Sequence, residues 1–196
     1  MLALEKGVIA MSTERLMRAI TFATVKHDGQ KRKVNKEPFI GHPYRVAMLL
    51  KEHDCNQDLV IAGLLHDVVE DTDGTLDEID ALFGQNVTQL VSTVTEKEKS
   101  LPWDTRKQQS IDQIRQAPID VKLIACADKI DNLGSMLDNE MVYGDAMWHA
   151  FERGKKDQQW YYQNMFDSVT AGINRNQFHP LMDQFEFLLR QFLDQK

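Results

Sequence analysis

The stretch Leu59 to Thr72, LVIAGLLHDVVEDT, constrains this chain more than any other segment. Leu59, Val60, Ile61, Ala62, Leu64 and Leu65 leave no polar face at helical spacing. Such a helix is buried on most sides rather than laid on a surface. Its far end changes character, because His66, Asp67, Glu70 and Asp71 follow directly. If one helix runs over about 58–71, a rotation of about 100° per residue sets these four side chains within about 140° of one another, His66 over Glu70 and Asp67 over Asp71. Three carboxylates and an imidazole on one face of a buried helix are costly unless a cation compensates them. A divalent metal would do so, and mixed nitrogen and oxygen donors suit Mn, Fe or Zn better than Ca. The competing explanation is a helix end whose acids face water. The apolar run just before them favours the metal.

Breakers are scarce elsewhere, with ten Gly and five Pro in 196 residues, which favours long helices over a sheet with many turns. Ser12 or Thr13 is expected to cap a first helix reaching about Lys26, with Leu16, Ala19, Ile20 and Ala23 as its apolar stripe and the first ten residues frayed. The polar, basic stretch 28–38 reads as a loop, and Pro43 suits the first turn of the next helix. Thr75 followed by Glu78 has the form of a capping box, and Gly84 can close that short helix. Asn86 is expected to cap a helix through Val94 and Thr95, followed by a charged loop from Glu96 to Trp103 and a helix over 104–116. Pro118 opens a helix carrying Val121, Leu123, Ile124, Ala125 and Ala127, and two segments over 145–171 and 180–194 complete the chain. No repeat or linker interrupts this pattern. The expected fold class is all-α: one helical domain over 1–196, with a core at about 20–137 and C-terminal helices at about 145–194.

The net charge of −7 argues against nucleic acid or an anionic membrane as partner, since both reward a basic surface. Cys55 and Cys126 are too few for a disulfide framework or a thiolate zinc site, and read as small apolar residues. No secretory signal or membrane-spanning run is evident, so a cytoplasmic location is expected. A homo-oligomer is compatible with the sequence.

Two further positions suit a metal site. His42, in IGHPYRV, stands at a helix entrance, and Asp128, in LIACADKIDNL, is a carboxylate inside an apolar helical stretch. Buried, Asp128 needs a partner. Taken alone, Asp128 is better explained by a salt bridge to Lys129 or Lys122. Asn132 shares its face one turn later.

The pieces QKRKVNKEPFIGHPYRVA, GLLHDVVEDTDGTLDEIDALFG and ADKIDNL, with LPWDTRKQ, cover roughly residues 20 to 137. In that order they resemble the HD-domain superfamily, and within it the alarmone hydrolases: the small stand-alone enzymes and the hydrolase half of RelA/SpoT-type enzymes. The resemblance implies that His42, His66, Asp67 and Asp128 bind a manganese ion. It implies that Glu70 and Asp71 position and activate the attacking water. The implied reaction releases pyrophosphate from the 3′ position of guanosine tetra- or pentaphosphate, leaving GDP or GTP. Removal of phosphate from NADPH, or nucleotide sensing without turnover, are the alternatives. A metal can polarise a phosphoryl oxygen and acidify water, and a carboxylate can take the proton. No phosphate-binding GxxxxGK[ST] loop or serine nucleophile motif is present to support kinase chemistry.

A small-molecule nucleotide of this kind needs cationic contacts. Lys31, Arg32 and Lys33 are the candidates in the 28–38 loop. The resemblance puts Arg32 and Lys33 in the nucleotide pocket, with Arg32 stacked on the base and Asn132 near the sugar or phosphate; Lys107 is a weaker candidate. Trp103 stands where a relative carries Lys, which would weaken one phosphate contact, and LGSML after Asn132 lacks the Arg common in the long enzymes. Beyond Met141 the resemblance lapses. There Lys155, Lys156, Trp160 and Tyr161 either close a nucleotide pocket or belong to an ordinary amphipathic helix. His27 is expected to cap a helix C-terminus, and His53, His149 and His179 to be structural.

Overall fold

The computed structural model describes residues 2–96 and 98–194, with side chains from Thr13 onward. Among the described residues the elements are α-helices and two short 3-10 turns, with one isolated antiparallel bridge between Lys31 and Pro38. In chain order the helices are α1 Leu2–Lys26, α2 Gly41–Glu52, α3 Gln57–Leu65, α4 Val68–Asp71, α5 Leu76–Phe83, α6 Gln85–Val94, α7 Trp103–Gln116, α8 Ile119–Tyr143, α9 Lys155–Val169 and α10 Pro180–Asp194. The all-α expectation holds.

Helix α8 is the spine. At about 1.5 Å per residue its 25 residues span roughly 37 Å, and it touches α2, α3, α6, α7, α9 and α10. Val121 to Ala127 are buried around its whole circumference, so this stretch has no water-facing side. Helix α3 is as thoroughly enclosed, with every residue from Leu59 to Leu65 buried between α1, α2, α6 and α8. These two buried helices carry Asp128 and lead into His66 and Asp67.

Local signals place several boundaries as expected. Thr75 and Glu78 exchange both hydrogen bonds of a capping box at the start of α5. Gly84, at φ +81°, ends α5 and also opens α6; Asn86 is therefore not the cap of α6 but lies in its first turn, donating to Asp58. Helix α1 begins at Leu2, which puts Ser12 and Thr13 inside it rather than at its cap. The side chains of the first ten residues lie outside the described ones. The 145–171 segment is not one helix: a 3-10 turn over Gly144–Ala150 and an extended break precede α9.

The most consequential difference is the break between α3 and α4. A continuous helix over 58–71 is not formed, because His66 and Asp67 make a turn, with Asp67 at φ −95° and ψ −6°. The His66 ring donates from Nδ1 to the Gly63 carbonyl at 2.7 Å, an acceptor that a continuing helix would offer to the Asp67 N–H. The helix thus gives up regularity where the imidazole is fixed.

Gly63 also sets the distance between α2 and α3. A Cβ at that position would sit 2.4 Å from Leu50 Cδ1 and 3.3 Å from Val46 Cγ1, both in fully buried side chains. The close approach brings the first turn of α2, with His42, against the end of α3, with His66. In Gly63→Ala the gain of up to ~1 kcal/mol in helix propensity should be outweighed by ~1–3 kcal/mol of overpacking. Chemical denaturation should therefore show a net loss of stability; a variant as stable as the parent would show that the contact relaxes freely.

Candidate functional site

Four side chains from three places in the fold meet at one point. His42 comes from the first turn of α2, His66 and Asp67 from the break after α3, and Asp128 from the middle of α8. The Nε2 atoms of His42 and His66 lie 3.3 Å apart. His42 Nε2 is 3.5 Å from Asp67 Oδ2 and 3.3 Å from Asp128 Oδ1; His66 Nε2 is 3.2 and 3.8 Å from the same atoms. Both imidazoles are buried. Among the described residues, His42, His66 and Asp128 stand out as a group whose donor atoms are close enough to share one ion.

The outer ring nitrogens decide what the inner ones can do. His42 Nδ1 donates to Asp131 Oδ2 at 2.6 Å, and His66 Nδ1 donates to the Gly63 carbonyl. A neutral imidazole that donates from Nδ1 carries a bare lone pair on Nε2. Two such lone pairs and two carboxylate oxygens therefore face one another across less than 4 Å. Such a cage is repulsive until positive charge enters it. Without metal, protons supply that charge: burial works to lower His42, but its bonds to Asp128, Asp131 and Asp67 prevail and raise it to about 9. His66 is likewise raised against its burial, by Asp67 and Asp128. The same histidines hold Asp67 far below the usual carboxylate range, while Lys129, with both histidines, does so for Asp128. Donor set and outer bonds fit a divalent cation, which would replace the protons.

Asp131 is the residue that the sequence reading missed. It accepts from His42 and also receives the Arg45 guanidinium through Nε and, at 3.2 Å, through NH2. Its position three residues after Asp128 in a helix was the available signal.

The acidic pair sits beside the cage rather than in it. Glu70 Oε2 accepts from the Glu96 N–H at 3.2 Å, and Asp71 Oδ1 receives Lys99 Nζ at 2.5 Å. Burial pushes the Glu70 carboxyl up to about 7, with the Asp67 and Glu96 charges acting in the same direction. A carboxyl titrating near neutrality can both take and return a proton at physiological pH.

These groups line a cavity of about 700 Å³. Lys31, Arg32 and Lys33 reach it from the 28–38 loop, and Lys99, Arg106, Lys107 and Lys129 from elsewhere. Arg32 donates through both terminal nitrogens to Asn132 Oδ1 at 3.2 and 3.1 Å, and Asn132 donates in turn to Asp128. Lys33 lies over the Phe151 ring. Lys129 does form the salt bridge to Asp128, at 2.5 Å, so Asp128 serves the pair and the cage together. Trp103, Tyr161 and Tyr162 line the cavity as buried aromatics, with Trp103 packed on Trp160 and Tyr161. Lys155 instead pairs with Glu140, and neither it, Lys156 nor Trp160 lines the cavity. His27 directly follows the last residue of α1, as expected, with its N–H on the Ala23 carbonyl and its buried ring bonded to Gln30; His53 and His179 meet edge to face.

A family model described as HD domain matches residues 19–144, which takes in every one of the clustered positions. The chain belongs to the HD-domain family. It is similar to the protein named guanosine-3′,5′-bis(diphosphate) 3′-pyrophosphohydrolase MESH1 from Drosophila melanogaster, at 38% identity over 165 residues, covering 83% of this chain and 88% of the relative. The mouse protein of that name is 43% identical over 122 residues, covering 61% and 68%. Among solved structures, a metazoan orthologue of SpoT described as hydrolysing ppGpp superposes with a TM-score of 0.77 at 30% identity, over 90% of this chain and 94% of that one.

Two outcomes follow from the cage. Without metal, His42 has a pKa of about 9 in the folded state against an ordinary 6.5, so its stabilising contribution is complete below about 6.5 and is lost as pH rises through about 9. Cation binding needs neutral imidazoles and should tighten over that same interval with release of protons, visible by calorimetry in buffers of different ionisation enthalpy. Binding that is independent of pH would contradict the cage. Separately, Asp131→Asn should weaken metal binding about 10–100-fold in equilibrium titrations without touching the inner donors.

Proposed function

We propose that the protein is a metal-dependent phosphohydrolase that removes the 3′-pyrophosphate of guanosine tetra- and pentaphosphate, giving GDP or GTP and pyrophosphate. The observation that carries this reading is the pairing of an electron-rich two-histidine, two-aspartate cage with a neighbouring acid held near neutrality, in a cavity rimmed by cations. The names of the relatives, and their likeness over most of the chain, support the same substrate.

His42, His66, Asp67 and Asp128 are the proposed manganese ligands, a mixed nitrogen and oxygen set suited to that ion. When bound, the cation would polarise a phosphoryl oxygen and acidify water. Glu70, with Asp71 beside it, orients the attacking water and accepts its proton. The water oxygen bonds to the phosphorus carried on the ribose 3′-oxygen, the bond between that phosphorus and the 3′-oxygen breaks, and the 3′-oxygen takes up a proton. Arg32, Lys33 and Asn132 bind the nucleotide; releasing Arg32 from Asn132 would free its planar guanidinium for the base.

On this reading residues 1–196 form one catalytic unit. Its HD core lies at about 20–137; of the C-terminal helices at about 145–194, both α9 and α10 pack on α8, and α9 closes the cavity. No helix among the described residues is long and apolar enough to cross a membrane, and the charge of −7 supports a nucleotide rather than nucleic acid or a lipid surface as partner. A cytoplasmic location accords with this, and a homo-oligomer is compatible with it.

The test is a hydrolysis panel with manganese and guanosine tetraphosphate, guanosine pentaphosphate, NADPH and ordinary nucleotides. Pyrophosphate should appear rapidly from the first two and be abolished in Asp67→Ala. Glu70→Gln should keep its manganese while turnover falls about 10²–10⁴-fold. Preferred release of phosphate from NADPH would move the substrate assignment, and tight binding without any product would make the protein a sensor.

A further inference from the structure

Beyond the cage and the acidic pair, the cavity contains a second charged cluster. Lys107 of α7 and Lys129 of α8 place their ammonium nitrogens 5.0 and 5.4 Å from the ring centre of Tyr161 on α9. Three helices thus bring two cations to one phenol. Both side chains are largely buried, at 21% and 14% exposure. Lys107 pairs with Glu96 and Lys129 with Asp128. An ammonium has three donors, so each lysine retains hydrogen-bonding capacity for a ligand.

The two charges repel each other in a partly desolvated wall, a cost that an anion shared between them removes. The cost rises when a cation enters the cage, because Asp128 must then serve that cation as well as Lys129. The cluster's location narrows the anion. Lys129 shares Asp128 with the cage, and Lys107 shares Glu96, whose N–H holds Glu70. On the hydrolase reading both cations would therefore border the reacting phosphorus, whereas Arg32 and Lys33 approach from the separate 28–38 loop. In a 3′-diphosphate the anion next to the reacting phosphorus is the outer phosphoryl group.

We propose that Lys107 and Lys129, gathered at Tyr161, seat the outer phosphoryl group of the 3′-diphosphate and then hold the pyrophosphate product. This rests on the hydrolase reading above. It makes the pair a specificity determinant for a 3′-diphosphate over a 3′-monophosphate.

The probe is inorganic pyrophosphate, with orthophosphate as control, in equilibrium dialysis against the full-length protein at constant free manganese. The parent should bind pyrophosphate at least about tenfold more tightly than orthophosphate, since a second phosphoryl group meets two charge-assisted donors. Lys107→Met touches no proposed metal ligand and should lose about that tenfold advantage while orthophosphate binding barely changes; Lys107→Arg should restore most of it. Lys129→Met should lose pyrophosphate binding in the same selective way. With guanosine 3′-diphosphate and 3′-monophosphate substrates, Lys107→Met should narrow the kcat/KM ratio. Unchanged pyrophosphate binding in both Met variants, an equal loss for both anions, or no preference in the parent would overturn the seat. The two readings fail separately. A protein that hydrolyses the alarmone with unaltered pyrophosphate binding in the variants has lost only the seat. One that binds pyrophosphate selectively through these lysines without hydrolysing the alarmone has lost only the substrate.

Discussion

The outward hydrogen bonds of two imidazoles govern the site. Because His42 gives its Nδ1 proton to Asp131 and His66 gives its own to the Gly63 carbonyl, both rings turn a lone pair inward on Asp67 and Asp128. Four electron-rich atoms held together by buried helices cannot separate to relieve their repulsion, so the fold must gather positive charge there. The same bonds explain the break between α3 and α4. The His66 ring takes the carbonyl of the last turn, and regular helix resumes only at Val68.

That arrangement needs a rigid frame, and the apolar residues supply it. Leu59 to Leu65 of α3 and Val121 to Ala127 of α8 are buried, so neither helix can rotate without dragging large side chains through filled space. Gly63 lets α2 come close enough for His42 to reach His66. Arg45, one turn after His42, clamps the same Asp131 that orients the ring, so α2 is tied to α8 by charge at the point where it is tied to α3 by packing.

Much of this was legible in the sequence, for identifiable reasons. The buried helix, the capping box at Thr75 and the boundaries of α7 and α10 follow from local rules that tertiary contacts do not override. His42, His66, Asp67 and Asp128 were proposed from residue type and resemblance, and the fold brings them together. What escaped was relational. Asp131 matters because of what it faces across from α2; its spacing from Asp128 puts it on the same face of α8 but does not name His42 and Arg45 as its partners. Glu96 looked like part of a charged loop, yet its N–H holds Glu70 and its carboxylate holds Arg106 and Lys107. The break at His66 was invisible for a similar reason: the pattern permits a helix, and a side-chain bond to the backbone ends it.

A net charge of −7 opposes the approach of a polyanionic nucleotide, but the cavity's lining shows how the two are compatible. Four of its cations are already paired with carboxylates: Lys99 with Asp71, Arg106 and Lys107 with the one Glu96, Lys129 with Asp128. The charge of that wall is thereby partly neutralised, and a ligand enters by exchanging partners rather than by stripping water from isolated charges. The exchange is also linked to the cage. Arg32 holds Asn132, Asn132 donates to Asp128, and Asp128 faces both histidines. A nucleotide that draws Asn132 or Lys129 towards itself frees Asp128 oxygens for the cation, and a cation that engages Asp128 frees Lys129 and Asn132 for the nucleotide. Because such coupling is reciprocal, metal and substrate should each strengthen the other's binding through one aspartate on α8.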